Sequence, residues 1–276
     1  MIQDIFPHKF NNDYLPIKKI RETDYILHYK DNSILLKTCK NGFELPKKND
    51  FSEFSDSNSL FLFRLNDVPC FLIHELPKEF KEELVYTDIS FFRTAEQQEI
   101  AWVGIAGLHL RNWYLLNAYC GTCGSKTKHK HDERALFCPD CNAVIYPKIS
   151  PAIIVAIVCK NRILLARNTN FKSGMFSLIA GYSDIGESLE ETVIREVKEE
   201  VGLDVKNIRY YKSQPWPLSG SMMIGFVAEA DDKQSIVTDD KEIAEAAWFE
   251  RGDLPVYSPN LSIAGEMIET FDRGEL

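Results

Sequence analysis

Up to about residue 89 the chain sets apolar and polar residues in short alternating runs, among them "DYILHYKDNSILLKT" and "SLFLFRLNDVPCFLIHEL", separated by polar turns. Successive strand side chains point to opposite faces, so this pattern predicts a β-rich N-terminal domain. The period then changes. Over "AEQQEIAWVGIAGLHLRNWYLLNAY", Ile100, Leu108 and Leu115 recur about two turns apart with Val103 beside Ile100, which predicts a helix covering that face. From Tyr146 onward the pattern predicts an apolar strand "PAIIVAIVC", its hairpin partner "RILLAR", a strong helix, further strands and a short final helix over "SIAGEMIETFDR". The strong helix follows Gly181. Ser188 and Glu191 make a capping box, Gly202 supplies the stop, and Leu189, Val193, Ile194, Val197 and Val201 form its apolar face. The expected fold is α+β, with an N-terminal β-rich domain and connecting helix over 1–117, a cysteine-bearing segment over 118–147 and a C-terminal domain over 148–276.

The 276 residues, 45% hydrophobic and 26% charged, have the composition of a soluble globular protein large enough for two domains. A formal charge of −9 argues against gripping nucleic acid by bulk electrostatics. An anionic substrate would then need a metal or a local basic patch. "MIQDIFPHKFNNDY" has no signal-peptide character and "PAIIVAIV" is too short to span a bilayer, so a cytoplasmic protein with no membrane association is expected. Cys39, Cys70 and Cys159 stand alone and the other four cysteines form two C-x-x-C pairs, a pattern that fits metal ligation in a reducing compartment.

Those pairs are "CGTCG", with Cys120 and Cys123, and "CPDC", with Cys138 and Cys141, with fourteen residues between them. Each pair turns two thiolates toward one ion, and four thiolates complete a tetrahedral Zn2+ shell. One structural zinc per chain is expected, with no open position for chemistry. His129 and His131 lie between the pairs as alternative ligands. Lys126, Lys128 and Lys130 alternate along the same hairpin and would meet either phosphates or solvent.

Along the strong helix Glu196, Glu199 and Glu200 fall at i, i+3 and i+4, gathering three carboxylates beside the apolar stripe. Such a cluster is either a solvated face or a set of hard oxygen ligands for Mg2+ or Mn2+. Glu187 stands within reach of Arg195 as a structural tie. The full segment fits G-x5-E-x7-R-E-U-x-E-E-x-G-U, with U aliphatic, from Gly181 to Leu203. This resembles the Nudix box, whose family hydrolyses nucleoside diphosphates linked to another group on an α/β/α sandwich. The resemblance implies that domain for 148–276, with metals held by the carbonyl of Ala180 and by Glu196, Glu199, Glu200 and Glu242, and with Glu200 and Glu199 as catalytic residues. Glu245, in the same "EIAEAAW", competes with Glu242 for the last metal role.

"SQPWPLSGS" sets a tryptophan between two prolines, which bias it to a stiff extended loop suited to a flat ligand. A four-cysteine zinc ribbon, a Nudix box and then this segment resemble the NADH pyrophosphatase and NAD-capped RNA hydrolase branch of the family. Its motif reads S-Q-P-W-P-F-P-x-S, so Leu218 and Ser219 depart from it. The resemblance implies that Gln214, Pro215, Trp216, Pro217, Leu218, Ser219, Gly220 and Ser221 bind the dinucleotide. It further implies that Tyr182 and Tyr146 sandwich nicotinamide, Tyr146 from across a homodimer interface, with weaker contacts from Glu133 and Ala264. The implied substrates are NAD(H) and the NAD-capped 5′ end of RNA. Hydrolysis of ADP-ribose or another dinucleotide is the alternative, and a zinc-ribbon RNA-binding regulator is the reading from another class.

Overall fold

The computed structural model describes every residue except 15–18, 41, 52–58, 77–81, 170–173, 239–240 and 259–260. The chain divides into two compact units, 2–148 and 149–276, apart from Met1, which groups with the second, and Pro217–Ser219, which group with the first.

The first unit holds eleven strands among the described residues: β1 (Phe10–Asn11), β2 (Tyr25–Leu27), β3 (Tyr29–Lys30), β4 (Ser33–Cys39), β5 (Gly42–Glu44), β6 (Ser59–Leu65), β7 (Val68–Ile73), β8 (Leu84–Asp88), and β9 (Lys128–His129), β10 (Leu136–Phe137) and β11 (Val144–Ile145). They form the sheets β1-β6-β7-β2, β3-β4-β5 with β8 beside β4, and β11-β10-β9. The alternating runs of the sequence are these strands. β6 and β7 meet at Asn66 and Asp67, both at positive φ (50° and 64°), the left-handed backbone that a two-residue hairpin requires and Asn and Asp tolerate. Ile26, Leu35, Phe61, Phe71, Ile73 and Leu84 pack into the core beneath them.

The predicted helix is α1, Gln98–Leu116. Its expected covered face is only partly right. Ile100, Val103 and Leu108 are buried, but Leu115 is 47% exposed, and Trp102, Ile105, Trp113 and Tyr114 are buried instead. A helix covered on several sides has no single stripe for a two-turn spacing to find. Close packing is built in through small residues: a Cβ on Gly104 would lie 2.3 Å from the Phe92 ring, and one on Gly107 2.3 Å from the Tyr29 hydroxyl. The ribbon strands follow and join the same unit. Arg134 donates through Nη2 to the carbonyls of Leu62 and Asn12 and stacks over the Tyr14 ring, whose hydroxyl donates to the Lys130 carbonyl.

The second unit is one mixed sheet between two helices. Its strands are β12 (Ser150–Cys159), β13 (Arg162–Asn168), β14 (Ile179–Tyr182), β15 (Val205–Trp216), β16 (Ser221–Ala230) and β17 (Ile243–Glu250), ordered β15-β16-β12-β13-β17 with β14 also on β12. β12 pairs parallel with β16 and antiparallel with β13 and β14, which share its other edge. The run "PAIIVAIVC" is apolar throughout because both faces are covered. Ile153, Val155 and Ile157 pack with Val193, Val197 and Val201 of α2 (Leu189–Val201), while Ile154 and Ala156 pack with Ile263, Met267, Ile268 and Phe271 of α3 (Ile263–Asp272). This is the expected α/β/α sandwich.

Candidate active site

Two elements build the acidic centre. β14 delivers Gly181 and Tyr182, held against Ile153 and Ala152 of β12, and α2 begins seven residues after Tyr182, behind its cap Ser188. The capping box forms as predicted: Ser188 Oγ accepts from the Glu191 N–H at 3.2 Å, and Glu191 Oε2 accepts from the Ser188 N–H at 2.8 Å. Gly202 ends the helix at φ 72°. The apolar face needs one correction. Ile194 is 47% exposed, and the buried Thr192 takes its place beside Val193, Val197 and Val201. Thr192, Glu196 and Glu200 form the row next to the covered stripe, because they repeat at i+4, whereas Ile194 is turned to the other side. Glu200 is therefore buried, and Glu199, one residue back around the helix, is 60% exposed.

Glu196 is the tightest of the set. A Cβ built on Gly181 would lie 2.0 Å from the Glu196 carboxyl carbon and 2.1 and 2.5 Å from its oxygens, so the carboxylate occupies the space a side chain would need. Arg195 ties the surroundings together. It donates to Glu187 through Nε and Nη2 (2.5 and 2.9 Å), to Glu196 and Glu199 through Nη1 (2.8 and 3.1 Å), and to the Tyr182 carbonyl through Nη2 (2.9 Å). The expected Glu187–Arg195 tie is thus present as one arm of a larger network. Arg195, with the Asp184 N–H and Thr192 hydroxyl, holds the Glu187 carboxyl down to about 2. Glu196 behaves oppositely. Burial pushes its pKa up against the pull of Arg195, and the charges of Glu199 and Glu242 push it further. A half-buried carboxylate whose charge is disfavoured first by desolvation and further by acidic neighbours is relieved by a cation.

The charge of Glu242 is thus felt at Glu196. Glu245 goes elsewhere. Along β17, Ala246 and Trp248 face the α2 side and Phe249 the α3 side, so alternation turns Glu245 away from α2, where it pairs with Arg167 at 3.1 Å. Ala180 lies on β14 opposite Ile154. The donors are all hard oxygens, the chemistry of Mg2+ or Mn2+, and such an ion keeps several of its waters, so the carboxylates need not converge as closely as zinc ligands.

The tryptophan segment is extended, as its prolines require, but it is a strand end rather than a loop. Pro215 and Trp216 close β15 opposite Met222 and Ser221, and Pro217–Gly220 make the turn into β16, with Gly220 at φ 68°. β15 is a sheet edge, where a proline's missing N–H removes no ladder bond. Trp216 is half-buried and Tyr182 is 52% exposed. Gln214 and Ser221 are buried, and Ala264 sits in the covered first turn of α3. Leu218 is half-buried and Ser219 exposed.

In the first unit, Tyr146 is 58% exposed and its hydroxyl donates to Glu133 Oε1 at 3.2 Å. Lys130, which the sequence left among phosphates or solvent, donates to the same oxygen at 2.5 Å. Lys126 and Lys128 are exposed. The four cysteines meet: Cys120 and Cys141 sulfurs are 3.5 Å apart, Cys123 and Cys138 3.4 Å, and all four lie within 4.8 Å of one another. A Zn2+ tetrahedron has an edge of about 3.8 Å, so the four sulfurs fit it. The N–H groups of Cys123 and Thr122 already draw the Cys120 thiol down to about 6, toward the thiolate a metal needs. Among the described residues no other three such side chains converge so closely, and His129 instead packs on the Tyr114 ring. Among the described residues no helix is long and apolar enough to cross a membrane.

Comparison with known proteins accounts for all three parts. The family model described as NUDIX domain matches residues 148–271, the NADH pyrophosphatase zinc ribbon domain matches 116–146, and the NADH pyrophosphatase-like rudimentary NUDIX domain matches 23–113. The NAD-capped RNA hydrolases NudC of Escherichia coli O1:K1 / APEC and of E. coli strain SMS-3-5 / SECEC are each 44% identical over 163 residues, which is 59% of this chain. The chain spans 63% of the length of these relatives. A NUDIX hydrolase from Nitrosomonas europaea superposes with a TM-score of 0.49 at 19% identity, over 56% of this chain and 90% of that one. The box on β14 and α2, the four converging thiols and the three matched domains agree: the chain carries a rudimentary NUDIX-like domain and a four-cysteine zinc ribbon ahead of a NUDIX domain.

Proposed function

We propose that the protein hydrolyses the pyrophosphate of NAD(H) to NMN(H) and AMP, and the same linkage at the 5′ end of NAD-capped RNA, leaving 5′-monophosphate RNA. The observation that carries this reading is the Glu196 carboxylate seated on the Gly181 backbone beside Glu199 and Glu200 of the same helix, its pKa raised first of all by burial. The 44% identity to NAD-capped RNA hydrolases supports the substrate class. Glu196, Glu200, Glu242 and the Ala180 carbonyl would hold Mg2+ or Mn2+, with Glu199 at the outer edge. The bound cation neutralises pyrophosphate oxygens and makes a water easier to deprotonate. Glu200 and Glu199 take up the proton released as the water oxygen bonds to phosphorus and the bridging P–O bond breaks; solvent exposure of Glu199 supports its handing that proton on. Arg195 holds the carboxylates of Glu187, Glu196 and Glu199 in place through its hydrogen bonds to all three.

Trp216 and Tyr182 supply aromatic walls for the flat rings of the substrate, and Tyr146 adds a third, acting from the partner chain of a homodimer; the exposure of both tyrosines supports this. Glu133 meets substrate with its carboxylate oriented by Lys130 and Tyr146. Pro215, Pro217, Leu218, Ser219, Gly220 and Ser221 shape the binding hairpin, and Ala264 lines it from α3. The zinc held by Cys120, Cys123, Cys138 and Cys141 is structural, and the protein works in the cytoplasm. The test is an assay with Mn2+ on NADH, ADP-ribose and NAD-capped RNA. NADH and capped RNA should be cleaved in preference to ADP-ribose, and Glu200→Gln should lower the rate by several orders of magnitude with the fold intact. Preference for ADP-ribose would move the substrate class, and no hydrolysis at all would leave the RNA-binding reading.

A further inference from the structure

Gln214 lies two residues ahead of Trp216, yet its side chain is wholly buried, with 0% of its surface exposed. Its Oε1 accepts from the Ile263 N–H at 2.7 Å, and its Nε2 donates to the Leu261 carbonyl at 3.3 Å. One orientation of the amide satisfies both bonds, and the flipped one satisfies neither. Leu261 and Ile263 flank Ser262, the N-cap of α3, whose Oγ accepts from the Gly265 N–H. The N–H of a helix's first residue has no partner within the helix. Here a strand 49 residues earlier supplies one.

The neighbours make this more than a cap. On one side the β15–β16 pairing of Gln214 with Met223 and Trp216 with Ser221 holds the tryptophan at a set distance along the strand. On the other, Ala264 is the residue after Ile263 in the tied turn. A fully buried amide with both ends engaged presents no surface to a ligand, although it stands in the midst of the proposed dinucleotide-binding segment.

We infer that Gln214 is a positioning residue: by tying the Trp216 end of β15 to the first turn of α3 it fixes Trp216 and Ala264 relative to each other, and thereby sets how tightly a dinucleotide binds. The inference rests on the proposed NAD(H) site. The carboxylates of α2 and their chemistry do not depend on the tie, so its loss separates binding from turnover.

The full-length protein with Gln214→Met, which keeps side-chain length and removes both bonds, provides the test, read well below its melting temperature. With NADH and Mn2+, KM should rise about tenfold while kcat stays within about threefold of wild type, the signature of lost binding rather than lost chemistry. Amide exchange at Ile263 should quicken at least about tenfold, reporting the lost bond without reference to substrate. In a Trp216→Ala background the KM effect should vanish, because residues acting through one another do not add. An unchanged KM alongside faster exchange overturns the inference. So does a loss that adds fully to that of Trp216→Ala, which would mean direct contact with substrate, or an equal fall in kcat. Should Gln214→Met not fold, Gln214→Asn, which keeps the amide but draws it back one methylene, is read by the same measures. A wild-type protein that leaves NADH intact refutes the proposed function and the binding role with it, while the exchange data still judge the tie itself.

Discussion

Gly181→Ala isolates the acidic centre with a single added methyl group. The backbone there is ordinary strand, paired with Ile153, and alanine fits it without strain. The obstacle is the Glu196 carboxyl carbon, 2.0 Å from the new Cβ, where ordinary contact begins at 3.4 Å. Glu196 must therefore retreat by about 1.4 Å or the strand must move; overpacking of this kind costs about 1–3 kcal/mol. Retreat also strains the 2.8 Å bond from Arg195. Misplacing a reacting or ligating group by about 1 Å costs on the order of a hundredfold in rate. We expect Gly181→Ala to lose about 1–3 kcal/mol of stability and to fall about a hundredfold in kcat for NADH with Mn2+. Adding Glu196→Asp, which pulls the carboxylate back by one methylene, should restore the melting temperature and leave the rate low. The measurements are thermal melts and steady-state kinetics of the three proteins. A Gly181→Ala enzyme with wild-type kcat and melting temperature would show that Glu196 does not need its place on β14, and the reading of the centre would fail.

Glu242→Gln should reduce activity on the order of a hundredfold, while Glu245→Gln, which breaks only the pair with Arg167, should stay within a few-fold; the reverse outcome in a steady-state assay would exchange their roles. Elemental analysis should find about one zinc per chain, and Cys138→Ser should lower the melting temperature because metal-binding energy is part of folding energy at such a site. A zinc-free preparation with normal stability would refute that. Glu187 is held at about 2, below its ordinary 4.5, so its contribution to stability is fully present above about pH 4.5 and fades as the pH falls toward about 2. Denaturant melts should show Glu187→Gln less stable than wild type at pH 7 and losing less stability across that acid interval; parallel curves would show that the Arg195 network adds nothing to folding.

Local signals were legible wherever neighbours in sequence are neighbours in space. The capping box of Ser188 and Glu191, the stop at Gly202 and the paired C-x-x-C knuckles are all set within a few residues, and the chain forms them as its pattern predicts. β12 could be recognised as a strand from the unbroken apolar run Pro151 to Cys159, and the structure shows that run covered on both faces. Periodicity misled where several partners share one element. On α1 it selected the exposed Leu115 over the buried Trp113, and on α2 it set Ile194 in the core in place of Thr192, since hydrophobicity says how much a residue favours burial but not which side of a helix a distant strand will cover. Nor does spacing reveal contacts made across the fold. That Glu245 turns to Arg167 follows from the pleat of β17 against β13, and that the charge of Glu242 is felt at Glu196 follows from packing across the fold. Gln214 shows the same division: its sequence context marked it for a ligand, and its hydrogen bonds join it to Leu261 and Ile263, because two segments 49 residues apart become neighbours only once the sheet and α3 have packed.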